Sequence, residues 1–228
     1  MTRAAIAALR AIPNPRVVAG NQLALVEDFE RSPDYVSDDA QHGRTDEDKL
    51  WIRDAGPPTY IGGGTISAIR NHHFVGYDAH YAPTQPSTPT PVNAFTWTHG
   101  KKTELGKGVA WSVNSNGDVV GDDRPSVDMP GRPSVWHRGK KTLLSTAQGS
   151  AFGINDRGEI VGDLASGGSF IAAFHDGHAS LVMLDHVMSP HGPWHIKHAL
   201  AIADDGSILA LARSASGTET LVMLIPSR

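Results

Sequence analysis

The chain has 228 residues, with 20 basic and 24 acidic side chains, a formal charge of −4, 24 Gly, 15 Pro and no Cys. That length buries one substantial core, and without a basic excess to meet phosphates, nucleic acid and anionic membranes are excluded as expected partners. The missing cysteines remove disulfides, thiolate metal sites and thiol nucleophiles together.

In chain order, the opening stretch MTRAAIAALRAIPNP is too short, and too interrupted by Arg10, for a signal h-region or a membrane span, which predicts a cytoplasmic protein. Arg3 to Ile12 reads as an apolar strand. Arg16 to Asp28 (RVVAGNQLALVED) reads as strand, turn, strand, and is followed by a long loop, Phe29 to Glu47. Leu50 to Gly56 (LWIRDAG) then starts a second hairpin. The same order returns as SAIRNHHFVGYD (Ser67 to Asp78), a loop from Asp78 to Val92, and AFTWTHG (Ala94 to Gly100). It returns again as VAWSVNSNGDVVGD (Val109 to Asp122), a loop from Asp123 to Arg132, and SVWHRG (Ser134 to Gly139). A fourth copy is AFGINDRGEIVGD (Ala151 to Asp163) with AAFHDG (Ala172 to Gly177), followed by a crossover from Asp185 to Lys197. The last copy is ALAIADDGSILALAR (Ala199 to Arg213), after which Glu219 to Ile225 (ETLVMLI) reads as one further strand.

The spacing from Gly76 to Gly121 is 45 residues and from Gly121 to Gly162 is 41. Four short strands and their turns fill such a period, and that is one blade of a propeller. Short β-branched or aromatic runs bounded by Asn-Gly, Asp-Gly and His-Gly are hairpin signals, and no segment keeps a helical period. The expectation is a single all-β domain over residues 1–228, a five-bladed β-propeller of four-stranded blades at about 16–62, 63–106, 107–147, 148–187 and 195–228. The last blade lacks a fourth strand, and residues 3–12 complete it, closing the ring and removing its free edges.

The pattern A-x-x-I-N-x-x-G-x-V-V-G followed by A-F-x-W-x-x-G resembles the HAF-type repeat of predicted extracellular bacterial proteins. Units three and four carry it well, unit two partly, and units one and five in pattern only. The resemblance implies a propeller-like fold and no particular activity.

In such a meander the tight turns, for example Asn114 to Gly117, Asn155 to Gly158 and Asp204 to Gly206, share one face of the disc. The long loops share the other, and loops in excess of what a connection needs are where function sits on a rigid scaffold. The site is therefore expected on the long-loop face. Asp28 to Lys49 carries eight of the 24 carboxylates, with Tyr35, His42 and Arg44; the second loop opens with His80 and Tyr81. The crossover brings His186, His191, Trp194, His195, Lys197 and His198, so half of the 12 His fall on this face. Imidazole and carboxylate together supply general acid/base chemistry near neutral pH, and also the ligands of a thiolate-free divalent metal site.

The expected function is a small-molecule enzyme of non-redox type, a lyase, cyclase, isomerase or hydrolase. His195 or His198 is the acid/base, His42 or His80 the partner, and Asp38 or Asp39 the orienter; Tyr35, Tyr81, Trp194, Lys197, Arg44 and Arg213 bind substrate. His195 and His198 are three apart, so plain strand alternation does not place both on one side. No phosphate loop, G-x-G-x-x-G, G-x-S-x-G or H-E-x-x-H is present, and a divalent metal is the one cofactor these residues suggest. The alternative is a non-catalytic binding module, gripping one protein partner through Tyr35, Tyr81 and Trp194 or acting as a lectin-like disc. Loops that differ in length and letters argue against equivalent sugar sites. Trp51, Trp97, Trp136 and Phe174 recur at one strand position and read as packing between blades; Gly76, Gly121 and Gly162 read as points of close backbone approach. Asp28, Asp78, Asp122 and Asp163 recur at the end of the second strand and read as turn hydrogen bonds, with Arg213 as the departure.

Overall fold

The computed structural model describes residues 9–13, 35–36, 42–44, 50–52, 59–60, 65–71, 73–79, 91–98, 101–188 and 194–226. These residues are all-β apart from one turn of helix, and their strands pair antiparallel in four-stranded sheets. The first strand, β1 (Leu9–Pro13), belongs to a sheet completed by the end of the chain. The next sheet is β2 (Tyr35–Val36), β3 (His42–Arg44), β4 (Leu50–Ile52) and β5 (Thr59–Tyr60). It is followed by β6 (Thr65–Arg70), β7 (His73–Ala79), β8 (Val92–Thr98) and β9 (Lys101–Lys107). Then come β10 (Val109–Val113), β11 (Val119–Asp123), β12 (Arg132–His137) and β13 (Lys140–Leu143). A further sheet holds β14 (Gly149–Ile154), β15 (Glu159–Leu164), β16 (Ser169–His175) and β17 (His178–Met183). After the turn α1 (Leu184–Val187), β18 (Trp194–Ile202), β19 (Ile208–Ser214) and β20 (Glu219–Pro226) pair in order, and β1 lies beyond β20 with Leu9 opposite Pro226 and Pro13 opposite Val222.

Two segments read as loops contain strands. The first loop, Phe29 to Glu47, holds β2 and β3, with Tyr35 opposite Arg44; the expected hairpin Arg16 to Asp28 lies outside the described residues. Tyr35-Val36 has β-forming side chains, but a run of two leaves no alternation to read, and Gly43 weakens β3 as a signal. The crossover expected from Asp185 to Lys197 is shorter than its reading, because β18 already begins at Trp194; Trp194, His195 and Lys197 are strand residues, not loop residues.

The cores lie between consecutive sheets. Val75 and Ala94 pack with Ala110, Val113, Val119 and Trp136; Val120 and Val135 pack with Ala151, Ile160, Phe170 and Phe174; Val161 and Ile171 pack with Ile196, Ala199, Ile208 and Ala210. Trp97, Trp136 and Phe174 are all buried, as packing residues should be, and the Trp136 indole also donates to the Leu105 carbonyl of the preceding sheet at 3.0 Å. The first strands β6, β10, β14 and β18 approach one another along the same side, so the sheets fan out from a shared axis lined by these strands.

Each of these four strands skips one residue in its pairing, at Ser67, Trp111, Phe152 and Leu200. A bulge leaves the extra residue unpaired and re-aims its side chain. The residue opposite, one step before each bulge, is Gly76, Gly121 or Gly162, where an added Cβ would lie 1.9, 1.9 and 2.1 Å from the carbonyl oxygens of Thr65, Val109 and Ser150. In the last sheet that position is Ala210, and β18 carries a second register break at Lys197.

Candidate functional site

Side chains link consecutive sheets at three levels along the first strands. At one end, Asp122 and Asp163 finish the second strands of consecutive sheets. Asp163 Oδ1 accepts the Ser169 hydroxyl at 2.7 Å and the Ala199 backbone N–H at 3.0 Å, while Oδ2 accepts His198 Nδ1 at 2.7 Å. An ionised carboxylate only accepts, so in neutral His198 the proton sits on Nδ1 and the lone pair on Nε2. The ring is 55% exposed, which leaves Nε2 accessible for proton transfer. Asp122, fully buried, accepts the Trp111 indole N–H at 3.0 Å, the Ser150 hydroxyl at 2.8 Å and two N–H groups of Arg124. Asp122 and Asp163 thus bind the first strand of the next sheet, not merely their own turn. The register corrects the sequence reading in the other two sheets: Tyr77 and Leu211, not Asp78 and Arg213, stand where Asp122 and Asp163 do; Asp78 pairs with Lys102 as Asp123 does with Lys141, and Arg213 pairs with Glu219 at 2.8 Å.

Two residues further along each first strand lie the bulge residues. Trp111 is the centre of an aromatic row, its ring 6.1 Å from that of Tyr77 at 64° and 6.2 Å from that of Phe152 at 55°. None of the three belongs to a core between sheets, and Leu200 at the equivalent position is 43% exposed. The row thus joins the second strand of one sheet, where Tyr77 opposes Thr65, to the bulges of the next two sheets.

The third layer is made by the tight turns. Asn114 and Asn155 each accept two backbone N–H groups of their own turn through Oδ1 and donate Nδ2 to the following sheet, to the Asn155 carbonyl at 3.2 Å and the Ala203 carbonyl at 2.9 Å. The next residue repeats the idea in reverse: Asp156 Oδ1 accepts the Ser115 N–H at 2.8 Å, and Asp204 Oδ1 accepts the Asp156 N–H at 3.0 Å. Arg70, at the end of β6, reaches across to all of them. Its Nε donates to Ser115 Oγ at 2.9 Å, and its Nη2 lies 2.8 Å from both Asp156 and Asp204. Burial works to raise the Asp156 carboxyl, but the Ser115 N–H and hydroxyl and the Arg70 guanidinium outweigh it and hold it below its ordinary value. Arg70 is only 13% exposed and joins the turns of four of the described sheets.

Of the predicted acid/base residues, His198 meets a carboxylate, but the orienter is Asp163. Asp38, Asp39, His80 and Tyr81 lie outside the described residues. His42 sits opposite Ile52 on β3, and Arg44 opposite Leu50. His195 is exposed and opposes Arg213. The break at Lys197 corrects the alternation argument: His195 opposes Arg213 and His198 opposes Leu211, two residues apart, so the register puts both His on one side of the sheet. Trp194 packs against the core with Val187, and Lys197 is exposed. Among the described residues no group of three or more His, Asp or Glu could hold a metal ion.

The tight-turn layer was missed by weighting loop length over position on the axis. Its signal was present, because Arg70 stands where the next two units have Asn114 and Asn155.

No family model matches the chain, and no curated protein matches it. The fold is similar to the β-propeller domain of the Trilobed protease from Pyrococcus furiosus, described as having an open velcro topology, at 15% identity and a TM-score of 0.50. The match covers 85% of this chain and 66% of that one, so the chain spans just under two thirds of that neighbour's length. The likeness bears on the fold alone: the chain is an all-β protein of β-propeller type built from four-stranded antiparallel sheets. Among the described residues no helix is long and apolar enough to cross a membrane.

Proposed function

We propose that the protein binds a small organic molecule in the axial space and performs non-redox acid/base chemistry on it through His198, oriented by Asp163. The observation that carries this reading is the Asp163–His198 hydrogen bond of 2.7 Å, at the opposite end of the first strands from Arg70. An imidazole fixed at Nδ1 and accessible at Nε2 is the arrangement that general base catalysis uses. The scaffold is a closed five-bladed ring of the HAF-repeat kind; the repeated letters of units three and four and the pairing of β1 with β20 support it.

The reading is tested by incubating the protein with pooled carbonyl, ester and lactone compounds in D2O and following them by NMR. Turnover appears as new signals, or as deuterium incorporated beside a carbonyl, and both are expected to vanish in His198→Ala. A wild-type protein that binds a compound yet produces neither change favours the binding-module alternative, for which the aromatic row alone suffices.

A further inference from the structure

Each sheet ends on an outer strand that pairs on one side only, and these edges differ in how they are guarded. β9 carries Lys101, Lys102 and Lys107 and breaks register at Leu105; β13 opens with Lys140 and Lys141; β1 holds Arg10 and Pro13. Edge lysines, prolines and bulges keep one sheet from adding to another. β17 has none of them. Its sequence, HASLVM, contains no Lys, Arg, Asp, Glu, Pro or Gly, and its register with β16 is unbroken. Among the described outer strands, the only other one without a charge or proline is β5, which is two residues long.

The register also shows which backbone groups are unpaired. Asp176 and Gly177, at φ 52° and 80°, make a two-residue turn that sets His175 opposite His178 as a hydrogen-bonded pair. His178, Ser180 and Val182 therefore bond to β16, while Ala179, Leu181 and Met183 turn their N–H and C=O groups outward. The Met183 carbonyl, at the N-cap of α1, already accepts the first bond of that turn. Leu184 then enters the core with Val161, Ile171 and Ile196, which carries the chain away from this edge. No described strand pairs with the outer side of β17. Ala179 is exposed, and Leu181 and Met183 lie half-buried against the core of Ile160, Phe170 and Phe174.

We propose that the outer edge of β17 is a docking surface for a second copy of this chain, the two strands pairing antiparallel about a twofold axis at Leu181. In that register Leu181 faces Leu181 of the other copy, and Ala179 faces Met183, small against large. Each Leu181 N–H donates to the Leu181 carbonyl of the other copy, and each Met183 N–H to the other copy's Ala179 carbonyl. No charged side chain meets its like. The same operation on β9, centred on Glu104, would set Lys101 directly against Lys107. Pairing covers the half-exposed Leu181 and Met183 and makes the contact self-complementary, as a twofold interface requires. One strand pair buries little area, so the dimer is weak, with a dissociation constant of about 10–100 µM. His198, on the inner strand β18, takes no part in it.

Sedimentation velocity over a concentration series tests the proposal. The wild type is expected to pass from one chain to two as its concentration rises through about 100 µM. Ala179→Lys and, separately, Ala179→Pro are each expected to raise the dissociation constant at least about tenfold. Ala179 is exposed and its N–H points away from β16, so neither change removes a bond of the fold, and unchanged melting checks this. Because the chain has no cysteine, Leu181→Cys reports the register. Across a hydrogen-bonded pair the two Cα atoms stand about 5.5 Å apart, within reach of a disulfide. Ser180 and its own copy are two residues out of step, about 8 Å apart, which a disulfide does not bridge. Ser180 is the more exposed of the two, so chance collision would cross-link Ser180→Cys faster. The twofold predicts the reverse, with Leu181→Cys oxidising to dimer at least about tenfold faster. A wild type still monomeric at about 1 mM, a dissociation constant unchanged in both folded Ala179 variants, or Ser180→Cys cross-linking as fast as Leu181→Cys would each overturn the proposal. Proton transfer in D2O is expected to be unchanged in Ala179→Lys, so the catalytic reading and this one fail separately.

Discussion

Arg70 and Asp204 are separated by 134 residues, yet the guanidinium Nη2 of one lies 2.8 Å from Oδ2 of the other. The same nitrogen is 2.8 Å from Asp156, so one largely buried cation ties the sheet β6–β9 to the sheets that begin with β14 and β18. Replacing Arg70 by Leu leaves two carboxylates facing each other. Allowing for the partial exposure of both acids, the expected loss is about 2 kcal/mol, larger at low salt and smaller as the pH falls and Asp156 takes up its proton. Urea unfolding at two salt concentrations and two pH values measures it; a loss insensitive to both would mean that Arg70 acts by packing alone.

The depressed carboxyls give a pH dependence with a definite sign. Asp156 is held low as described, and Asp123 is held low because Lys141 and Arg132 outweigh its burial. Both have an ordinary value of 3.8, which the unfolded chain adopts. Below that value and above the folded ones, the unfolded chain binds more protons, so stability rises with pH in this window. The contribution is complete above about pH 5 and is lost as pH falls through the folded values. Asp123→Asn should therefore shallow the fall of the urea midpoint between pH 4 and pH 2. A slope equal to wild type would show that Asp123 does not contribute.

At Gly121 the closest carbonyl oxygen leaves 1.9 Å for an added Cβ, and the atom is backbone, which cannot swing aside. Gly121→Ala is expected to lose at least about 3 kcal/mol or to fail to fold. Ala210→Gly, at the same position of the last sheet, should lose far less, since Ala is already accommodated there. Thermal unfolding of the two variants side by side decides whether the bulge at Trp111 imposes the glycine.

These glycines, the third-strand aromatics and the Asn-x-x-Gly turns were legible in the sequence because each repeats from unit to unit. What was not legible does not repeat in the letters. The bulges add one residue to a strand without altering its letters, so the three-residue spacing of His195 and His198 looked like opposite sides until the break at Lys197 reset the register. Arg70 looked like an ordinary turn residue because its partners are supplied by three other sheets. The strands β2 and β3 are too short, at two and three residues, to show alternation.

Asp163 separates orientation from presence at His198. Asp163→Asn can keep an acceptor oxygen for Ser169 and the Ala199 N–H but presents an amide N–H where His198 Nδ1 now donates, which reverses the tautomer. Proton transfer detected in D2O is expected to fall by about two orders of magnitude. His198→Ala should abolish it with stability changed by less than about 0.5 kcal/mol, as for an exposed residue. Equal activity in Asp163→Asn and wild type would remove Asp163 from the mechanism while leaving His198 in it.

β1 pairs along the outer edge of β20, which joins Leu9–Pro13 to the sheet of Glu219–Pro226. Val222 and Leu224 are fully buried on β20, opposite Pro13 and Ala11, and without β1 the backbone edge of that strand is unpaired. An exposed apolar edge is a template for another chain. Removing residues 1–13 is therefore expected to lower stability by at least about 3 kcal/mol, a typical figure for loss of buried strand packing, and to promote self-association in sedimentation experiments. A truncated chain that associates no more than wild type and melts with it would show that β1 is dispensable.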